Sequence, residues 1–146
     1  KLGKNGRAFM KTVFVDSSVL FTAVNSPSGG SAKLISLRKY ELLTSTFVLT
    51  EVERNVRKKL QDYHLERFFV LVESLKISKE MPHSKVIAHA KQVIAVKDAI
   101  ILAQAKELKI HYLVTLDQKD FFQPKVFSYF APGKIITPKD LITQLH

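Results

Sequence analysis

The 146-residue chain contains no cysteine, which excludes disulfide scaffolds, thiolate zinc sites and cysteine nucleophiles. No apolar run approaches the roughly 20 residues that span a bilayer, and the start lacks the pattern of a secretory signal. A soluble, cytoplasmic protein with no membrane partner is therefore expected. Neither G-x-x-x-x-G-K-[ST] nor G-x-G-x-x-G occurs, so no phosphate-cradling glycine loop marks a nucleotide cofactor. The histidines, His64, His83, His89, His111 and His146, include no H-x-x-x-H pair, which leaves no pattern for zinc or a histidine base. Acids are also scarce, with 13 Asp and Glu against 23 Lys and Arg, a formal charge of +10.

Residues 1–9 (KLGKNGRAF) show no periodicity, whereas Met10 opens a strand-like run. That segment reads as a non-native leader or a disordered arm, and residues 10–146 as one domain, since domains average roughly 100–150 residues. Lys1, Lys4 and Arg7 carry three of the surplus charges, leaving +7 without them. A surplus of that size suits nucleic acid or another polyanion.

TVFV at 12–15 is a run of β-branched and aromatic residues ending at Asp16, a buried strand with an acid at its carboxyl end. The turn formers of 25–30 follow, and Ser31 is placed to cap a helix carrying Leu34, Ile35 and Leu37. Residues 42–45 read as a second strand. Thr50 and Glu53 form a capping box ahead of Val52, Val56 and Leu60, one helical face. Further helices are expected over 64–74, 84–94 and 98–108, and strands over 75–77, 111–114 and 134–136. Thr137-Pro-Lys-Asp140 opens a last helix with a cap, a proline at the first position and an acid at the third. Strands alternate with helices and no hairpin signal joins any two, which predicts an α/β fold: a five-stranded parallel sheet with helices on both faces. Ligands in such sheets sit beyond the carboxyl ends of the strands.

Asp16 ends the first strand and Asp117 lies just past the fourth, so both should emerge at that edge. Glu51 and Asp98 open helices that border it. Each acid also has a plainer reading: Glu51 and Asp98 as dipole-complementing residues of a first turn, Asp117 and Asp120 as turn formers. Together they would repel, and carboxylates held within a few ångströms raise each other's pKa. A divalent cation removes that conflict, and magnesium takes oxygen ligands and bridges carboxylates to phosphates. Acids that hold a metal, in a chain basic enough to hold a polyanion, are what metal-dependent cutting of a nucleic acid requires.

The segments VFVDSSVLFTAV, TFVLTEVERNV, KDAIILAQAKELKIHYLVTLDQKDF and IITPKDLI, in this order, resemble the PIN-domain ribonucleases from Met10 to the end of the chain. The resemblance maps that family's acids onto Asp16, Glu51, Asp98 and Asp117. It implies a PIN-like three-layer sandwich, one or two Mg2+ or Mn2+ ions, and endonucleolytic attack on RNA by a metal-activated water. Asp16, Asp98 and Asp117 would be metal ligands, and Glu51 a ligand or the base that orients the water. Ser17, Thr115 and Asp120 are polar neighbours able to hold a metal-bound water or a ligand. Many small members are toxins of toxin–antitoxin pairs, so the resemblance also implies an antitoxin partner and a homodimer.

Arg54, Arg57, Lys58 and Lys59 share one helix with Glu51, and Lys97 adjoins Asp98. These basic residues read either as a solvated face or as contacts to an RNA backbone. A catalytically silent RNA-binding module of the same fold is the rival expectation. An aspartyl phosphatase is disfavoured, because Ser18 stands where such enzymes carry a second acid.

Overall fold

The computed structural model describes residues 10–144; the expectation for residues 1–9, and His146, lie outside them. Strands β1 (Thr12–Val15), β2 (Glu41–Ser45), β3 (Lys76–Ser78), β4 (Tyr112–Val114) and β5 (Lys134–Ile136) form one sheet in the order β3-β2-β1-β4-β5. Every pairing is parallel, and the central register sets Phe14 beside Leu43 on one side and Leu113 on the other. Val13, Phe14 and Val15 are wholly buried, as a strand covered on both faces demands.

The chain leaves β1 through α1 (Ser17–Asn25) and α2 (Gly30–Ser36), and β2 through α3 (Thr46–Lys59) and α4 (Asp62–Val72). These crossovers move outward on one side of β1. From β3 it returns through α5 (Ser84–Lys91) and α6 (Val96–Glu107) to β4, then through α7 (Gln118–Phe121) and α8 (Pro124–Phe130) to β5. Because parallel crossovers are right-handed, reversing direction moves the helices to the other face. Accordingly α1 packs on α2, α3 and α4, while α5 packs on α6. The last helix, α9 (Pro138–Thr143), returns to the first group by packing on α2. The sheet direction switches between β1 and β4, which opens a crevice at their carboxyl ends.

Several helix starts differ from the sequence expectation. The helix of Glu51 begins at Thr46, because the Ser45 hydroxyl accepts from Val48 N (3.2 Å) and caps it. Thr50 lies inside that helix, donating its hydroxyl to Thr46 O (2.8 Å). Gly29, not Ser31, occupies the cap position of α2, and Ser31 is buried. Helix α4 starts at Asp62, where His64 Nδ1 accepts from Gln61 N (3.1 Å). Thr137 caps α9 through Asp140 N (3.2 Å), with Pro138 next, as the sequence predicts. No helix among the described residues is long and apolar enough to cross a membrane.

Candidate active site

Asp16 directly follows β1, its amide donating to Val114 O of the neighbouring strand (3.1 Å). It occupies the cap position of α1, yet its carboxylate caps nothing. Oδ2 instead accepts from Thr115 Oγ1 (2.7 Å) and Ser18 Oγ (2.8 Å). Those hydroxyls bind the loop after β4: Asp117 N donates to Thr115 Oγ1 and Leu116 N to Ser18 Oγ, both at 3.0 Å. Asp16 is 3% exposed, and burial raises its carboxyl pKa against the lowering effect of the two hydroxyl donors. Ser17, singled out from the sequence, makes only a long 3.5 Å contact to Oδ1. Ser18 is a site residue that the sequence reading does not include. Its signal was the i+2 spacing from an acid at a strand end, which lets a hydroxyl reach back to the carboxylate.

Asp98 sits in the first turn of α6 and is 9% exposed; its Oδ2 is buried without a hydrogen-bond partner. Loss of water drives its pKa up to about 7. The Lys97 ammonium opposes the rise, and the charges of Asp16, Asp117 and Asp120 add to it. Asp117 caps the short helix α7, its Oδ1 accepting from Asp120 N (3.1 Å). Asp120 Oδ2 lies 3.6 Å from Lys97 Nζ, and the carboxylates of Asp98, Asp120 and Asp117 hold that exposed ammonium above its usual pKa. One oxygen each from Asp98, Asp117 and Asp120 falls within a mutual 4.8 Å. The sequence places Asp120 among the polar neighbours; α7 brings its carboxylate into this group.

Asp16, Glu51, Asp98 and Asp117 all line one cleft of about 240 Å3 at the carboxyl edge of the sheet, along with Ser17 and Lys97. Glu51, Asn55 and Lys59, at i, i+4 and i+8 of α3, present one helical face to it. Arg54, Arg57 and Lys58 are exposed and do not line it; Arg57 Nε pairs with Glu53 Oε2 at 3.0 Å.

The family model for the PIN domain matches residues 13–125, from the first strand past the α7 acids. The chain belongs to the PIN-domain family. Solved structures share this PIN fold. One is a toxin–antitoxin complex from Klebsiella pneumoniae, 22% identical, with a TM-score of 0.60 over 86% of this chain and 97% of that one. Another is VapBC2 from Rickettsia felis bound to a promoter DNA fragment, 16% identical, with a TM-score of 0.63 over 85% and 96%. A third is VapC20 from Mycobacterium tuberculosis, described as a sarcin–ricin loop cleaving toxin, 14% identical, with a TM-score of 0.57 over 73% and 91%. Among curated proteins, none matches this PIN-domain chain in sequence.

Proposed function

We propose that this PIN domain is a metal-dependent endoribonuclease that hydrolyses RNA phosphodiester bonds, acting as the toxin of a toxin–antitoxin pair. The observation that carries the metal reading is Asp98 Oδ2: a buried carboxylate oxygen with no partner, set among two further carboxylates. An all-oxygen donor set with that spacing fits Mg2+ or Mn2+, held by Asp98, Asp117 and Asp120 with Asp16 on the same cleft. When bound, the ion supplies a lowered pKa to an attacking water and neutralises charge on the phosphate.

The remaining chemistry belongs to the chain itself. Lys59 and Lys97 line the cleft and can hold backbone phosphates beside the acids. Glu51 faces the same space from α3 and can accept the proton of the attacking water. Hydrolysis then forms one phosphorus–oxygen bond from water and breaks the bond to the leaving sugar oxygen, which takes up a proton. Thr115 and Ser18 touch no substrate in this scheme; they position Asp16.

The toxin role rests on the family and on the neighbours from toxin–antitoxin pairs, and it brings an antitoxin partner and a homodimer as expectations. Light scattering of the isolated chain and of the chain with its antitoxin reads both. For the activity, RNA incubated with the protein and Mg2+ should be cut in a reaction that EDTA stops and that Asp16→Asn or Asp98→Asn abolishes. Cleavage that survives EDTA and both substitutions would overturn the assignment.

A further inference from the structure

The acids follow the carboxyl ends of β1 and β4, yet a second and larger cavity, about 510 Å3, opens at the opposite edge of the sheet. Lys11 enters it just before β1, His111 and Tyr112 at the start of β4, Lys134 at the start of β5, and Lys106 and Lys109 from the end of α6. Among the described residues, no carboxylate lines it. Among the described residues, none of its four lysines forms an ion pair. The acid of that stretch of α6, Glu107, is engaged elsewhere, accepting from His83 N at 2.8 Å. Residues 1–9 hold Lys1, Lys4 and Arg7 and no acid, so they cannot supply the missing negative charge.

The backbone at Lys109 gives an independent reason to read this cavity as functional. Helix α6 ends in a Schellman motif, with Ile110 N bonded to Ala105 O (3.2 Å) and Lys109 N to Lys106 O (3.1 Å). The residue at its turning point must be left-handed, and Lys109 has φ of 55°. Glycine is the favoured residue there, because a side chain is strained in that region. A lysine stands there instead, and it lines the cavity. Arg38 takes a similar φ of 56°, but its groove also contains Glu73, so charge is balanced there.

The rest of the lining suits a ligand with both a charged and a flat apolar part. Lys106 Nζ donates to Ala131 O (3.1 Å) and lies 5.2 Å from the Tyr129 ring centre, which fixes its ammonium at the rim. His111 Nδ1 accepts from Thr12 N (3.0 Å), so in its neutral form the ring carries its proton on Nε2. Pro132 is exposed and Tyr112 half-buried, and they offer apolar surface beside the lysines.

We propose that this cavity binds a nucleotide unit, with the phosphate held by Lys11, Lys109 and Lys134 and the base resting against Tyr112 and Pro132. The volume falls in the range of small-molecule sites, roughly 300–1,000 Å3. Lysine ammoniums do here what a glycine loop would do elsewhere. The unit comes either from a free nucleotide or from an RNA strand, which share this chemistry.

Amide NMR of the 15N-labelled chain in EDTA, where no divalent ion reaches the acidic cleft, tests the site with adenosine 5′-monophosphate, adenosine and inorganic phosphate. The expected result is saturable shifts at Lys109, His111, Gly133 and Lys134 with the monophosphate, weaker binding of phosphate and none of adenosine. Lys109→Gly should fold with an unchanged or higher melting temperature and bind the monophosphate about tenfold more weakly, the scale of one lost charge-assisted contact. The double variant Lys11→Ala, Lys134→Ala should weaken it further. Equal binding of adenosine, shifts confined to the acidic edge, or unchanged affinity in both variants would overturn the proposal. A short single-stranded RNA that displaces the monophosphate identifies a strand as the source, and one that does not identifies the free nucleotide. Either result keeps the site.

Discussion

Replacing Asp98 with asparagine should make the metal-free protein more stable at neutral pH, although it removes a central residue of the cleft. The carboxyl of Asp98 is pushed from 3.8 to about 7 on folding, chiefly by loss of water. Below pH 4 the group is protonated in both folded and unfolded chains and costs nothing. As the pH rises toward 7 the unfolded chain releases the proton while the folded one keeps it, so stability falls and then levels off above the folded pKa. At 1.36 kcal/mol per pH unit the full loss is about 4 kcal/mol. One flank of the carboxyl meets the cleft and Lys97, and solvation there halves the effect to about 2 kcal/mol at the least. Asparagine keeps the shape and cannot ionise. Thermal unfolding of both proteins in EDTA from pH 4 to 8.5 should therefore show curves that diverge between pH 4 and 7. At about 3 °C per kcal/mol for a chain of this size, the gap reaches about 6–12 °C. Adding Mn2+ at about 100 times its dissociation constant should return about 2.7 kcal/mol to the wild type and nothing to the variant. Curves that stay parallel within about 1 °C, or equal stabilisation of both by Mn2+, would refute the reasoning.

Thr115→Ala removes the 2.7 Å donor to Asp16 and leaves Asp117 N without its acceptor. It should cost about 1–3 kcal/mol by thermal unfolding and shift the acidic limb of the cleavage profile to higher pH, because Thr115 lowers the Asp16 pKa. Phe121→Ala should cost about 3–5 kcal/mol in urea unfolding, since the ring is wholly buried and anchors the short helix between Asp117 and the α8 segment. Lys97→Ala should leave the melting temperature unchanged, its exposed pair with Asp120 being worth little. If Lys97 holds a phosphate, the same change should reduce the salt dependence of RNA binding by about one in slope.

The elements that could be read from the chain are those whose signal is local. Thr12–Val15 and Lys134–Ile136 match their expected bounds, because each is a compact apolar run with an abrupt polar stop. Helix α3 begins five residues before the position the sequence suggests, because Thr50 and Glu53 imitate a capping box while Ser45, the last residue of the strand, holds the real cap. Helix α1 went unread for a related reason: Asp16 stands at its cap position but is committed to Ser18 and Thr115, so the usual sign was spent on the site. Helix α8 also went unread, although Pro124 at its first turn was a usable mark. At the site, Asp16, Asp98 and Asp117 line one cleft because they follow strand ends or open a helix, which sequence shows, whereas Glu51 reaches it from inside α3. That Asp120 outranks Glu51 in closeness to Asp98 and Asp117 depends on a four-residue helix, and no periodicity reveals one.

The hydroxyl of Thr115 reaches the carboxylate of Asp16 across 99 positions of sequence. A chain emerging from the ribosome therefore carries Asp16 early but cannot fix its geometry until the fourth strand has also emerged and paired with the first. Contacts of such long range form late and slowly. A nascent fragment ending before Asp117 lacks two of the three clustered acids, so the cluster is complete only after the fourth strand and the turn that follows it have been made. On the proposed ribonuclease reading, a chain that has not reached that point carries no complete acid cluster with which to cut RNA.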